Sequence, residues 1–190
     1  LSTATTYYVY NLNGTTFNLL DSSGNIVNTT AGTATNTYIS LLVDVPTVQN
    51  IVMVSDTSRF VLAFGANDYG SSTQDPMLIR WSNQDDPYNW TPDASNQAGS
   101  IRLSHGSKIV ATVQTRQEIV VITDASVYSM QYLGPPYVWQ SQLLGDNISI
   151  ASQNAAIIAS GIVYWMGVDK FYAYDGRVQT LNCDLRRLNI

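Results

Sequence analysis

The residues that could do chemistry are few. His105 is the only histidine and stands in Ser104-His105-Gly106-Ser107, in a chain with 14 acidic residues, so the ingredients of a Ser-His-Asp nucleophile are present. That chemistry requires a strained turn of Gly-x-Ser-x-Gly type to expose the serine, and the chain has none; the tetrapeptide reads as a surface turn ahead of a strand. Gly99 to Lys108 has the small residues of a phosphate loop. Its end runs Gly106-Ser107-Lys108, not Gly-Lys-Ser/Thr, and no helix signal follows to bring a positive N-terminus to a phosphate. Asp85 and Asp86 offer two carboxylates, but neighbours on an extended chain point to opposite sides, whereas glycoside hydrolysis needs a facing pair. Ahead of Pro87 they read as turn formers. Cys183 is single, so these residues form neither an intrachain disulfide nor a Cys-based zinc site, and a small buried residue at a strand end is its expected role. The sequence therefore offers no catalytic set, no cofactor site and no metal site.

The elements that would position these residues are strands. Glu118 is the only Glu and Lys108 and Lys170 the only Lys, while Thr, Ser, Asn, Tyr and Val abound, which favours an all-β chain. Charged residues make up 12% of the chain, about half the usual share. The formal net charge of −5 excludes a broad basic footprint for nucleic acid, although Arg177, Arg186 and Arg187 make the C-terminal stretch locally positive. A mildly acidic surface suits a conduit through which DNA slides without sticking. No apolar run of 18 residues is present, so membrane insertion is not expected. Without an initiator Met or signal peptide, the sequence reads as an excerpt from a longer polypeptide. The Asn-x-Ser/Thr matches at Asn13, Asn28, Asn89 and Asn147 are what chance gives in an Asn- and Thr-rich chain.

Residues 1–45 read as a small β-meander: Thr5 to Tyr10, Thr15 to Leu20 and Asn25 to Asn28, with turns between and a Thr/Ala/Gly-rich exit at Thr29 to Thr37. A boundary falls at Asp44-Val45-Pro46, where proline interrupts the strand pattern. Residues 46–190 hold three β clusters. The first comprises Gln49 to Ser55, Arg59 to Gly65 and Pro76 to Ser82, with a long insertion at Ala66 to Asp75. The second comprises Ser100 to Leu103, Lys108 to Thr115, Glu118 to Thr123 and Ser126 to Leu133. The third comprises Val138 to Leu144, Ala155 to Ser160, Gly161 to Gly167 and Lys170 to Tyr174, with Val178 to Leu181 starting something new. Arg59, Glu118 and Gly161 open equivalent apolar strands at spacings of 59 and 43 residues. Such spacing marks consecutive four-stranded antiparallel blades of a partial β-propeller, and three blades do not close a ring. Apolar spacing through Ala151 to Ile158 also fits a short helix; strands are preferred because both flanks are β.

Several separated motifs carry a resemblance. Ile79-Arg80-Trp81-Ser82, Gln84-Asp85-Asp86-Pro87, Trp90-Thr91-Pro92, Ile122-Thr123-Asp124, Tyr164-Trp165-Met166-Gly167 and Phe171-Tyr172-Ala173-Tyr174-Asp175-Gly176 occur in one order over Val48 to Cys183. In this the chain resembles tailed-bacteriophage virion proteins with β-propeller-like bodies, of the tail-nozzle or tail-hub type. The N-terminal meander resembles small β modules of phage tail and fibre proteins. The resemblance implies a structural role in the virion tail, synthesis in the bacterial host cytoplasm, and partners among other tail proteins and copies of the chain itself. It implies no enzymatic activity. Ser82 to Trp90 also puts Ser, Asp and Trp in the order of the hairpin box that braces sialidase propellers, without the spacing or glycine of that box.

Interface anchors would be aromatic. Tyr128, Tyr132, Tyr137, Trp139, Tyr164, Trp165, Tyr172 and Tyr174 crowd the last two clusters, most of them as expected core. Tyr137 and Trp139, in a loop stiffened by Pro135 and Pro136, are the interface candidates, together with Tyr7 and Tyr8 in the meander. The alternative use of such aromatics is to hold a host-surface glycan, and an open groove would distinguish it.

Overall fold

The computed structural model describes residues 6–13, 16–27 and 42–181. The expected Thr29 to Thr37 exit and the positions of Cys183, Arg186 and Arg187 lie outside the described residues. The chain divides into two compact units, Leu1–Ile39 and Ser40–Ile190. The expected boundary at Asp44 to Pro46 lies inside the second unit, because Val43 bridges to Asn89 and exchanges backbone hydrogen bonds with Tyr88 and Trp90.

The first unit is a three-stranded meander: β1 (Tyr8–Asn13), β2 (Thr16–Leu20) and β3 (Ile26–Val27). The turn between β2 and β3 is built by Asp21, whose carboxylate accepts from the backbone N–H groups of Ser23 and Asn25 and from the Asn25 amide.

The second unit is three consecutive four-stranded antiparallel sheets, with no helix among the described residues. The first is β4 (Ile51–Val54), β5 (Val61–Phe64), β6 (Leu78–Trp81) and β7 (Gly99–Arg102). The second is β8 (Ile109–Gln114), β9 (Ile119–Thr123), β10 (Ser126–Gly134) and β11 (Val138–Asp146). The third is β12 (Ala156–Ala159), β13 (Ile162–Met166), β14 (Phe171–Tyr174) and β15 (Val178–Leu181). The propeller-like blades of the sequence are there, but their membership shifts. Ser100 to Leu103 completes the first sheet, since Leu78 pairs with Arg102. Val138 to Leu144 completes the second, and Val178 to Leu181 closes the third by pairing with Phe171 to Tyr174. The region that also fitted a helix holds β12 and the turns before it.

Two cores hold the sheets together. Phe60, Leu62, Phe64, Ile79 and Trp81 of the first sheet meet Ile119, Val121, Tyr128 and Met130 of the second. Val120, Ile122 and Val127, on the opposite side of the second sheet, meet Val163, Trp165, Tyr172 and Tyr174 of the third. Strand β9 thus opens on an uninterrupted apolar run, Ile119 to Ile122, because both its faces are covered.

The hairpin closures also correct the alignment of the three sheets. Ser55 and Phe60, Thr115 and Glu118, and Ala159 and Ile162 are the closing pairs, so Phe60, Glu118 and Ile162 are the equivalent positions. The first and third lie one residue beyond Arg59 and Gly161, because polar turns of unequal length precede them. A one-residue slip exchanges the two faces of a strand. With the slip removed, Leu62 and Phe64, Val120 and Ile122, and Tyr164 and Met166 occupy equivalent positions on one face. In the first two sheets that face receives the next sheet.

Candidate assembly surface

The β10–β11 hairpin is the longest in the chain's described residues, and its outer half stands alone. Only Val127 to Met130 of β10 pair with β9, whereas pairing with β11 continues to Gly134 and Val138. Two aromatic side chains at the base of this projection turn inward. Tyr132 and Trp139 face each other across the strands, with ring centroids 5.6 Å apart, and both pack on Phe60 at 5.4 and 5.7 Å. The Tyr132 hydroxyl donates to Gln97 Oε1 at 3.1 Å, and the Gln97 carbonyl accepts the Trp81 indole N–H at 2.8 Å. The hairpin is therefore braced against the first sheet.

Trp139 is 5% exposed, so its ring area is spent inside this chain and it is withdrawn as an interface anchor. The misreading has a physical cause: a Trp beside a Pro-Pro loop looks like a tip residue, but strand alternation returns it to the core side. Its indole N–H is buried without a hydrogen-bond partner, as is that of Trp165. Tyr137 is 76% exposed at the tip, flanked by exposed Pro135 and Pro136 and half-exposed Leu133. Val138, which closes the tip, has φ of 52°, an uncommon conformation for a β-branched residue. In the meander, Tyr8 is half-exposed and Tyr7 less so.

The residues considered for chemistry are dispersed. His105 Nδ1 lies 3.0 Å from Ser104 Oγ and 3.2 Å from the Tyr128 hydroxyl, which in turn accepts the His105 backbone N–H at 2.7 Å. No carboxylate hydrogen-bonds this ring among the described residues. The neighbouring turn is tied by Asp124, which accepts from the Ser107 hydroxyl and from the Ser107 N–H at 2.7 Å. Burial works to raise the Asp124 pKa, but these hydrogen bonds outweigh it and hold the group below the usual carboxylate value. Gly106 has φ of 112°, and a Cβ there would sit 2.5 Å from Thr123 Oγ1, so glycine serves a close approach rather than a phosphate cradle. Asp85 pairs with Arg59 at 2.9 Å, and Asp86 accepts the Tyr88 N–H at 3.1 Å, which makes both parts of the turn before Trp90.

Two charged groups have roles that the sequence reading did not assign. Arg80, 2% exposed, lies on the outer face of the first sheet and donates to the carbonyls of Asp44, Asn67 and Trp90 at 2.7, 3.3 and 3.3 Å. It forms the floor of a cavity of about 500 Å³ lined also by Asp44, Asn67 and Asp68. Glu118 joins the second and third sheets: it accepts from the Ser129 hydroxyl, from Gln131 Nε2 at 3.1 Å and from the Tyr174 hydroxyl at 2.6 Å. Burial works to raise its pKa, but the three hydrogen bonds together outweigh it and the net shift is downward; the Tyr174 hydroxyl is pushed up by its own burial and by the carboxylate. The signal available in sequence was rarity, since Glu118 is the only Glu.

The chain matches no protein-family model, and no curated protein matches it.

Proposed function

We propose that this chain is a structural component of a tailed-phage virion tail, of nozzle or hub type, working through contacts with other tail proteins and with copies of itself. The motif order supports the phage setting. The observation that supports assembly is the braced β10–β11 hairpin, which holds Tyr137 out from the body beside Leu133 and two prolines. A side chain whose neighbours are already fixed loses little entropy on contact, which is how aromatic anchors work. No catalytic step is assigned. DNA passing through such a conduit would meet an acidic chain with only 9 Lys and Arg residues, so intrinsic DNA affinity is expected to be negligible.

The host-glycan reading is weaker. A sugar ring stacks on an aromatic floor in a groove, whereas Tyr137 stands at a hairpin tip and the cavity above Arg80 is lined without an aromatic side chain. Replacing Tyr137 and Leu133 together by Ala tests the proposal. Thermal stability should hold, because both lie outside the core, while co-assembly with the other tail proteins, read by sedimentation, should weaken by about 2–4 kcal/mol. Unchanged co-assembly, or glycan binding that the double substitution abolishes, would overturn the reading.

A further inference from the structure

A short segment lies over the outer face of the first sheet without belonging to it. Val43 donates to the Tyr88 carbonyl at 2.7 Å, accepts the Trp90 N–H at 3.0 Å and makes a single parallel bridge to Asn89. The Asp44 carbonyl accepts from Arg80 Nη2 at 2.7 Å, the Asp44 carboxylate accepts from the Thr91 hydroxyl, and Val45 rests half-buried on Ala63, Ala66 and Trp90. Asp44 has φ of 56°, a left-handed conformation outside the range of strands. From Pro46, which is buried, the chain is fixed: Asn67 Oδ1 accepts the N–H groups of Thr47 and Val48, both at 2.9 Å, and the Val48 carbonyl accepts the Asn67 N–H at 3.1 Å. Residues 42–45 are thus attached by a few contacts ahead of a clamped hinge.

The groups beneath this segment keep most of their partners without it. The Trp90 indole N–H still donates to the Pro87 carbonyl at 2.9 Å, and Arg80 still donates to the carbonyls of Asn67 and Trp90. The guanidinium has no ion-pair partner among the described residues, and it floors a cavity walled in part by Leu42, Asp44 and Val45. Burial opposes its charge, so water that enters as the segment lifts offsets part of what is lost. No ladder of the sheet has to break. We infer that residues 42–45 are a flap, hinged at Pro46 to Val48, which opens and exposes Arg80 while the three sheets stay folded. The covalent path from the meander to the sheets passes through the flap. Opening therefore adds up to roughly 13 Å of reach, four residues at about 3.3 Å each, and presents a cation on an acidic chain.

Phenylglyoxal labels accessible guanidinium groups, and peptide mass mapping of the full chain reads the label at Arg80, with the exposed Arg59 and Arg102 as references. Without denaturant Arg80 should be labelled, and the Trp90 amide, whose acceptor is the Val43 carbonyl, should exchange with solvent at least a hundredfold faster than the amides of the β5–β6 ladder. In a Cys183→Ser background, Val43→Cys with Asn89→Cys sets two thiols on bridged positions. Oxidation to the disulfide should slow labelling of Arg80 at least tenfold, and reduction should restore it. Thr91→Val removes the partner of the Asp44 carboxylate and leaves the backbone contacts of residue 91 in place. It should speed both readouts about tenfold with the melting temperature nearly unchanged. Trp90 exchange as slow as that of the β5–β6 ladder, Arg80 labelling indifferent to the disulfide, or no response to Thr91→Val would each overturn the inference.

Discussion

At the first sheet, the outer face is closed from within: Trp90 covers Ala63 and Ala66, and Arg80 finds its partners in the chain that wraps over it. At the third sheet, the outer face carries Ile157, Met166 and Phe171 open to solvent. The difference lies in the connections. Residues 65–77 and 82–98 join the strands of the first sheet and are long enough to fold back over it, whereas residues 160–161, 167–170 and 175–177 of the third only reverse direction. A sheet can cover itself only where its loops have length to spare. Where turns are tight, the cover must come from elsewhere.

The largest expected effect lies at the closed end. Trp90→Ala should cost about 3–5 kcal/mol in denaturant unfolding, since the ring lost is 3% exposed and packs on Ala63 and Ala66. Met166→Ser at the open end should change stability of the monomer by less than about 0.5 kcal/mol. Equal costs at both ends would erase the contrast. A middle-sized effect lies at the junction between the second and third sheets. The Glu118 pKa is held below its unfolded value of about 4.3, so the stability it contributes is complete above that value and is lost as pH falls through the lower, folded one. Stability should therefore decline below about pH 4, and Glu118→Gln should cost about 1–3 kcal/mol at neutral pH while flattening that acid limb. An unchanged acid limb in the variant would show that the junction does not depend on this carboxylate. The smallest effect sharpens the point about tight turns. Ser160 and Gly161 both have positive φ, at 51° and 81°, the arrangement of a type I′ turn that favours Asn-Gly. Ser160→Asn should raise stability by a few tenths of a kcal/mol to about 1 kcal/mol, seen as a higher melting temperature.

Much of the fold was legible because burial on both faces leaves a plain trace: Ile119 to Ile122 has no polar residue to interrupt it, and the hairpin turns stand out on either side. Sheet membership was less legible. Val138 to Leu144 reads equally well as the last strand of one blade or the first of the next, and only pairing decides. Register was missed by one residue because turns of different length carry similar polar composition. Trp139 was misplaced for the related reason that loop proximity does not reveal which side of a strand faces inward. Arg80 and Glu118 escaped because their partners are mainly backbone carbonyls and hydroxyls distant in sequence, such as Tyr174 for Glu118, which no local pattern announces. His105, Asp85 and Asp86 were read as turn residues, and their contacts are those of turns.

Among the described residues, every strand of the second unit's sheets pairs only with its neighbours in the chain. Contacts of this kind close short loops and form quickly, so each sheet can be finished from its own stretch while the next is still being synthesised. Burial is not independent in this way, because Phe60, Leu62 and Phe64 have no cover until the second sheet arrives, and Val120, Ile122 and Val127 have none until the third does. Between the emergence of Asp146 and that of Leu181 the growing chain therefore still presents an apolar face. A pause in translation there would lower yield through aggregation without altering the stability of any molecule that reached completion.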